Sequence, residues 1–249
     1  ELDIGVDLMG YTKNNRMLMF SYRMAPIQIH HFGSTTGSKE IDYLIADQYL
    51  IPENLSQYYT EKIIYMPNSF LPFDNTKEVE ENKFTREDMS LPNDSFVLAA
   101  FHSNYKITTK EIHCWSRILT KTSNTVLWLS KPNSEAQRNL INAFEEKGIN
   151  QNRIFFTRKM TEYRDHLSRH SCADLFIDTF NFNGHSTSLD ALWTGLPVVT
   201  LLGKSLIARV SASYLTQLEL TELIAHTIDQ YEDIIIDLIN DPRKLKQIK

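Results

Sequence analysis

Between Asn181 and Pro197 the chain reads Asn-Phe-Asn-Gly-His-Ser-Thr-Ser-Leu-Asp-Ala-Leu-Trp-Thr-Gly-Leu-Pro. The apolar run ahead of it, residues 175–178, reads as a buried strand. Ala191, Leu192 and Trp193 open a helical pattern that Gly195 and Pro197 stop. Gly184, His185, Ser186 and Thr187 therefore fall in a strand-to-helix turn. Such a turn aims backbone N–H groups and hydroxyls at one point, at the positive end of a helix dipole. An anion belongs there, and a diphosphate is the natural candidate. The same residues also suit an ordinary cap, with Ser186 as the N-cap and Asp190 answering the dipole in the first turn. A cap needs one oxygen, however, and this turn supplies three donors and a titratable ring.

Other residues offer matching chemistry. Lys106 follows the apolar run 96–101 after the short turn His102-Ser-Asn-Tyr. In an open α/β sheet, ligands collect beyond the carboxyl ends of the strands. An ammonium there neutralises charge building on a departing diphosphate; the alternative is a solvated surface lysine. His166 and Arg169 are three residues apart and share one face of the helical stretch 161–172. The guanidinium fork suits base edges or phosphate oxygens, with a solvent-facing polar stripe as the alternative. Asp190 is a pure acceptor matched to the paired hydroxyls of a ribose. Earlier in the chain, Gly10-Tyr11-Thr12 and Gly33-Ser34-Thr35-Thr36-Gly37 each follow a strand, so Tyr11, Thr12 and Thr35 are candidates for the acceptor and sugar side of a cleft. His30 and His31, at a strand end, read as structural more readily than as a base. The chain has no Asp-x-Asp pair to hold a divalent metal on a diphosphate, so the chemistry is expected to need no metal and no cofactor beyond the donor. Gly-x-Gly-x-x-Gly, the P-loop pattern and Gly-x-Ser-x-Gly are absent as well.

The elements that must position these groups alternate along the chain. Residues 4–9, 26–31, 43–46 and 63–66 read as strands in the first part. Residues 96–101, 126–130, 153–156, 175–178 and 198–202 do so in the second. Helical patterns cover 110–120, 135–147, 161–172 and 206–218, and 220–249 reads as helical throughout. Alternation of this kind predicts an α/β fold with parallel sheets covered by helices on both faces. Strands buried on both faces account for runs that are continuously apolar. The polar, acidic stretch 72–93 breaks the rhythm and reads as a linker. It divides a partial first lobe, 1–71, from a complete doubly wound lobe with C-terminal helices, 94–249.

Composition narrows the partners. A net charge of −5 without a basic stripe excludes a nucleic-acid surface. No apolar run approaches the roughly 20 residues of a membrane helix. Cys114 and Cys172 are far apart and form no pair motif, which fits a reducing cytoplasm. A start at Glu1 rather than Met suggests a fragment of a longer product.

The string Asn183 to Thr200 resembles the nucleotide-sugar turn of the protein O-GlcNAc transferases and their Spindly-type relatives. The resemblance runs over nearly the whole chain, through Asp7-Leu-Met-Gly-Tyr-Thr-Lys-Asn-Asn-Arg16, Ala25-Pro-Ile-Gln28, Asp42-Tyr-Leu-Ile-Ala-Asp47, Tyr105-Lys106, Val126-Leu-Trp-Leu129 and Arg209-Val-Ser-Ala-Ser213. It implies two Rossmann-like lobes facing across a cleft, the GT-B fold, with the first lobe incomplete. It implies that Gly184, Ser186, Thr187 and Asp190 hold the diphosphate and ribose of a sugar donor, that His166 and Arg169 contact the nucleotide, and that Lys106 is catalytic. His185 joins Lys106 as the second candidate for catalysis. Three departures stand out. Ser103 occupies a donor-contacting position where relatives carry glutamine. The lysine usual on the His166 helix is missing, with Tyr163 or Lys159 nearby. The loop 33–37 is shorter than the family's Gly-Tyr-Pro-Gly-Thr-Ser-Gly. The activity implied is metal-independent transfer of GlcNAc from UDP-GlcNAc, or of another sugar from its nucleotide, to Ser or Thr of a protein acceptor. TPR-like helical repeats are expected upstream. Alternatives are an asparagine-directed protein N-glycosyltransferase and a nucleotide-binding or interaction module without catalysis.

Overall fold

The computed structural model of the protein describes residues 2–31, 35–80 and 83–249. Gly33 and Ser34 of the expected sugar-side loop lie outside the described residues. In the first lobe, β1 (Ile4–Asp7), β2 (Ile27–His30), β3 (Tyr43–Ala46) and β4 (Lys62–Tyr65) form a parallel sheet in that order. The expected covering of helices is not found here: the described residues of this lobe hold only the 3-10 turns Met17–Tyr22 and Glu53–Tyr58. Buried polar groups brace the short strands instead. The Gln28 amide donates to the carbonyls of Phe20 and Glu40. The Glu61 carboxylate accepts from the backbone of Thr36 and Gly37.

The second lobe is a six-stranded parallel sheet. β5 (Phe96–Ala100), β6 (Thr125–Ser130), β7 (Ile154–Thr157), β8 (Leu175–Ile177), β9 (Val198–Leu201) and β10 (Ile224–Ala225) lie in the order β10-β9-β8-β5-β6-β7. Counted from β5 this is 6-5-4-1-2-3, the doubly wound order, whose strand sequence reverses between β5 and β8. The pleat explains the apolar runs. Leu98, Ala100, Leu127, Leu129, Leu175 and Ile177 point to one core, and Val97, Ala99, Val126, Trp128 and Phe176 to the opposite one. The first core is closed by α1 (Thr109–Lys121), α2 (Ser134–Glu145), α5 (Val210–Gln217) and α6 (Ile228–Asn240). The second lies beneath α4 (Ser186–Trp193) through Ala191 and Leu192.

Three helical expectations are corrected. The stretch 161–172 divides into α3 (Tyr163–Ser168) and a 3-10 turn, Arg169–Cys172. The stretch 206–218 divides at Arg209 into a 3-10 turn and α5. The stretch 220–249 is not helical throughout, because Ile224 and Ala225 pair with β9 as its edge strand. Thr227 then caps α6 by accepting from Gln230 N, and Asp241 caps α7 (Pro242–Ile248). Ile224 and Ile228 are four apart, a spacing that imitates one helix face.

Nor is 72–93 a free spacer. Phe84, Met89 and Leu91 pack on the second core, and the Arg86 guanidinium gathers Asp174 at 2.6 Å with the carbonyls of Cys172, Asn93 and Ser95. The lobes meet where Leu44, Ala46, Leu50 and Phe70 pack on Leu206, Val210 and Tyr214. Ser213 donates to Asp47 at 2.6 Å and Arg209 to the Tyr49 carbonyl at 2.9 Å, which locks the contact.

Candidate active site

Two loops leave the point where strand order reverses. The first follows β5, and its 3-10 turn Asn104–Lys106 delivers Lys106. Glu111 ties that loop down twice: it closes a capping box with Thr108 at the start of α1, and it accepts from Phe180 N at 2.8 Å in the second loop. The second loop follows β8 and is built around Asp178. This fully buried carboxylate accepts from Thr179 N at 2.9 Å, Gly184 N at 2.7 Å and Thr200 Oγ1 at 2.9 Å. Burial lifts its pKa to about 6, against these hydrogen bonds, which pull it down. Asn183 returns its side-chain amide to the Thr179 carbonyl, and its own N–H donates to the Ile207 carbonyl.

The loop therefore arrives at α4 as a fixed object. Gly184 is required there, since a Cβ would stand 2.3 Å from Ser188 Oγ and 2.8 Å from Thr187 Oγ1. His185, not Ser186, is the N-cap, and it makes no side-chain capping bond. Ser186 and Thr187 form the first turn and present its N–H groups outward.

Lys106 is half-buried, not a solvated surface lysine. Its Nζ donates to the Asn183 carbonyl at 2.8 Å and stands 3.7 Å from the centre of the Phe182 ring. The His185 ring lies against the same phenyl at 5.2 Å. Ammonium and imidazole thus both pack on Phe182, and neither is among the residues that line the neighbouring cavity. Burial lowers Lys106 to about 8, with the Asp178 charge acting the other way. Burial first, and then the Lys106 charge, lowers His185 to about 4, so this ring is neutral near pH 7.

Beside them opens a cavity of about 600 Å³. Six of the candidates line it: Ser103, His166, Arg169, Ser186, Thr187 and Asp190. Arg169 is buried without a carboxylate partner within 4 Å among the described residues; its guanidinium lies over Phe101 and bonds the Arg158 carbonyl at 3.0 Å. Burial alone lowers its pKa to about 10. Its Nη2 donates to His166 Nδ1 at 2.7 Å, which leaves the proton of a neutral His166 on Nε2, 3.6 Å from Asp190 Oδ2. Asp190 lies in the second turn of α4, too deep to serve as a first-turn dipole residue. It accepts from the Tyr163 hydroxyl and faces Lys77 Nζ at 3.5 Å. Burial raises its pKa, but the bonds from His166 and Tyr163 and the Lys77 charge outweigh that, and the net shift is downward.

Tyr11, Thr12 and Thr35 do not line this cavity; they stand on the first lobe. Tyr11 is exposed, Thr12 Oγ1 donates to the Met9 carbonyl, and the Thr35 hydroxyl is committed to Glu61. His30 is the structural residue expected: buried, with Nδ1 2.6 Å from Asp7. Sequence reasoning missed Lys77 and Asp178. Nothing around Lys77 sets it apart from other linker residues. Asp178 did carry a signal, a carboxylate ending an apolar strand.

A family model described as glycosyl transferase family 41 matches residues 1–83 and 76–249. The Arabidopsis thaliana protein named "Probable UDP-N-acetylglucosamine--peptide N-acetylglucosaminyltransferase SEC" is 30% identical over 256 residues, which cover 100% of this chain and 26% of that protein. A Hordeum vulgare protein of the same name ending in SPINDLY is 31% identical over 254 residues, covering 100% and 27%. The chain thus spans about a quarter of the length of these relatives. The solved structure of a mutant Thermobaculum terrenum O-GlcNAc transferase superposes with a TM-score of 0.88 at 28% identity, covering 99% of this chain and 47% of that one.

Proposed function

The chain belongs to glycosyl transferase family 41 and has the two parallel-sheet lobes of a GT-B enzyme; from that premise we propose that it is the donor-binding, catalytic part of a protein O-GlcNAc transferase. The reading rests on one observation above all. The first turn of a helix and a carboxylate–imidazole–guanidinium chain line one cavity at the reversal of strand order, with the Lys106 ammonium held beside it on the Asn183 carbonyl. A nucleoside diphosphate has the matching parts. Its ribose diol suits Asp190, its base suits the His166–Arg169 side, and its phosphates suit the N-terminus of α4 and Lys106.

In the reaction, an acceptor Ser or Thr oxygen bonds to the sugar C1 while the C1–O bond to the β-phosphate breaks. That electron pair leaves on the diphosphate, and the hydroxyl proton passes to a base or to solvent. Lys106 and the N–H groups at Ser186 and Thr187 stabilise the leaving charge, so no step calls for a metal. UDP-GlcNAc is the donor expected from the names of the relatives, and a protein hydroxyl is the acceptor. TPR-like repeats upstream are part of the reading, supported by the quarter-length span of the match. So is a cytoplasmic setting, supported by two buried free cysteines. Among the described residues no helix is long and apolar enough to cross a membrane.

Calorimetry with UDP and GDP, followed by mass spectrometry of an acceptor protein incubated with UDP-GlcNAc, tests the proposal. UDP binding and a single-sugar mass increase on Ser or Thr are expected. Modification on asparagine would reassign the acceptor, binding without turnover would reduce the chain to a nucleotide-binding module, and binding of neither nucleotide would refute the site.

A further inference from the structure

Lys77 belongs to the irregular stretch between the lobes, yet its ammonium is held against Tyr163 and Asp190, two residues that line the cavity. Nζ stands 2.7 Å from the Tyr163 hydroxyl and 3.5 Å from Asp190 Oδ1, against the rings of Phe73 at 4.0 Å and Tyr163 at 4.6 Å. The stretch is fastened on both sides of it. Trp193 Nε1 donates to the Lys77 carbonyl at 3.1 Å, and the Phe73 ring packs on Trp193 at 5.1 Å. Further on, Glu80 N donates to Ser168 Oγ at 3.0 Å and Lys83 pairs with Asp165 at 2.8 Å. The segment therefore runs along α3 and α4, the two helices that carry His166 and Asp190.

An ionised carboxylate offers about four acceptor positions on its two oxygens. On Asp190, Oδ1 is used by Tyr163 and Lys77, whereas among the described residues Oδ2 faces the His166 Nε2 alone, at 3.6 Å. Asp190 is buried, and a buried charge needs compensation. Tyr163 is neutral and His166 has an acceptor nitrogen turned to Arg169. Lys77 is the one obligate cation within 4 Å of this carboxylate among the described residues.

Resting on the donor-site reading above, we infer that Lys77 is a positioning residue for the sugar-nucleotide donor, supplied by the interlobe segment: with Tyr163 it holds Asp190 ionised and turned so that Oδ2 receives the ribose diol. Donor affinity is then tied to how the interlobe segment lies on α3 and α4, although Lys77 itself touches neither the base nor the reacting carbon.

Calorimetry on the full chain with UDP and with 2′,3′-dideoxy-UDP separates this role from a general structural one. Lys77→Met should weaken UDP about tenfold, the worth of one charge-assisted contact, and leave the dideoxy nucleotide within about twofold. Lys77→Arg keeps the charge and should restore most of the UDP affinity. In an Asp190→Asn background, Lys77→Met should change nothing further, as expected of two residues acting as a unit. Equal weakening of both nucleotides by Lys77→Met, or no weakening of UDP, overturns the inference while the donor site stands. Failure of the unaltered chain to bind UDP removes the donor-site reading, and this inference with it.

Discussion

Replacing Lys106 with methionine removes one positive charge while keeping most of the side-chain volume. A unit charge about 4 Å from the oxygens of a leaving diphosphate contributes about 4 kcal/mol at the effective dielectric of a partly buried site. At about 1.36 kcal/mol per decade of rate, the variant should lose about a thousandfold in kcat. The pH profile makes the test sharper. Lys106 is lowered to about 8 by burial, so its charged form is lost as pH rises through that value. Roughly nine-tenths of the enzyme is competent at pH 7 and one-tenth at pH 9, so kcat/KM should bend downward near 8. Initial rates of sugar transfer by the full-length protein, taken from about pH 6 to about pH 9.5, would show this limb in the unaltered enzyme and its absence in the residual activity of Lys106→Met. UDP calorimetry on the variant checks that the cavity survives the loss of the bond to the Asn183 carbonyl. A loss of less than tenfold in kcat, or a variant that keeps the limb near pH 8, would refute the electrostatic role.

Two other sites offer independent checks. The folded pKa of Asp178, about 6, lies above the unfolded value of 3.8, so the folded state binds its proton more tightly and gains stability as pH falls through 6. Between pH 7 and pH 5 the unfolding free energy of the unaltered chain should rise by about 1 kcal/mol relative to Asp178→Asn, measured by urea denaturation at each pH; no relative change would show that the carboxylate is not desolvated as described. Gly184→Ala must push the Ser188 and Thr187 side chains aside at the start of α4. It should cost about 1–3 kcal/mol of stability and at least tenfold in UDP affinity, and retention of full affinity would show that the turn does not touch the donor.

The doubly wound lobe was readable because its signal is local. Short apolar runs such as Val126 to Leu129, bounded by turn residues, read as strands buried on both faces, and the Gly-His-Ser-Thr turn ahead of Ala191-Leu192-Trp193 reads as a helix start. The misreadings have a physical cause as well. Ile224 and Ile228 obey helical spacing, yet the free edge of β9 offered hydrogen bonds that Ile224 and Ala225 took. In the first lobe the runs were found, but no local pattern announces that Gln28, Glu61 and Asp7 replace helices as the bracing.

The amino-acid order by itself determined the class of fold and the strand-to-helix turn, because each of these depends on residues within a few positions of one another; it left Lys106, His166, Arg169 and Asp190 with structural alternatives, and the family resemblance singled them out. Only the tertiary structure decided how they are charged and joined. The bond between Lys106 and the Asn183 carbonyl and the contact of Lys77 with Asp190 span 77 and 113 residues. Burial and charge compensation arise from chain segments that meet only once the sheet is closed, and nothing in local spacing encodes them.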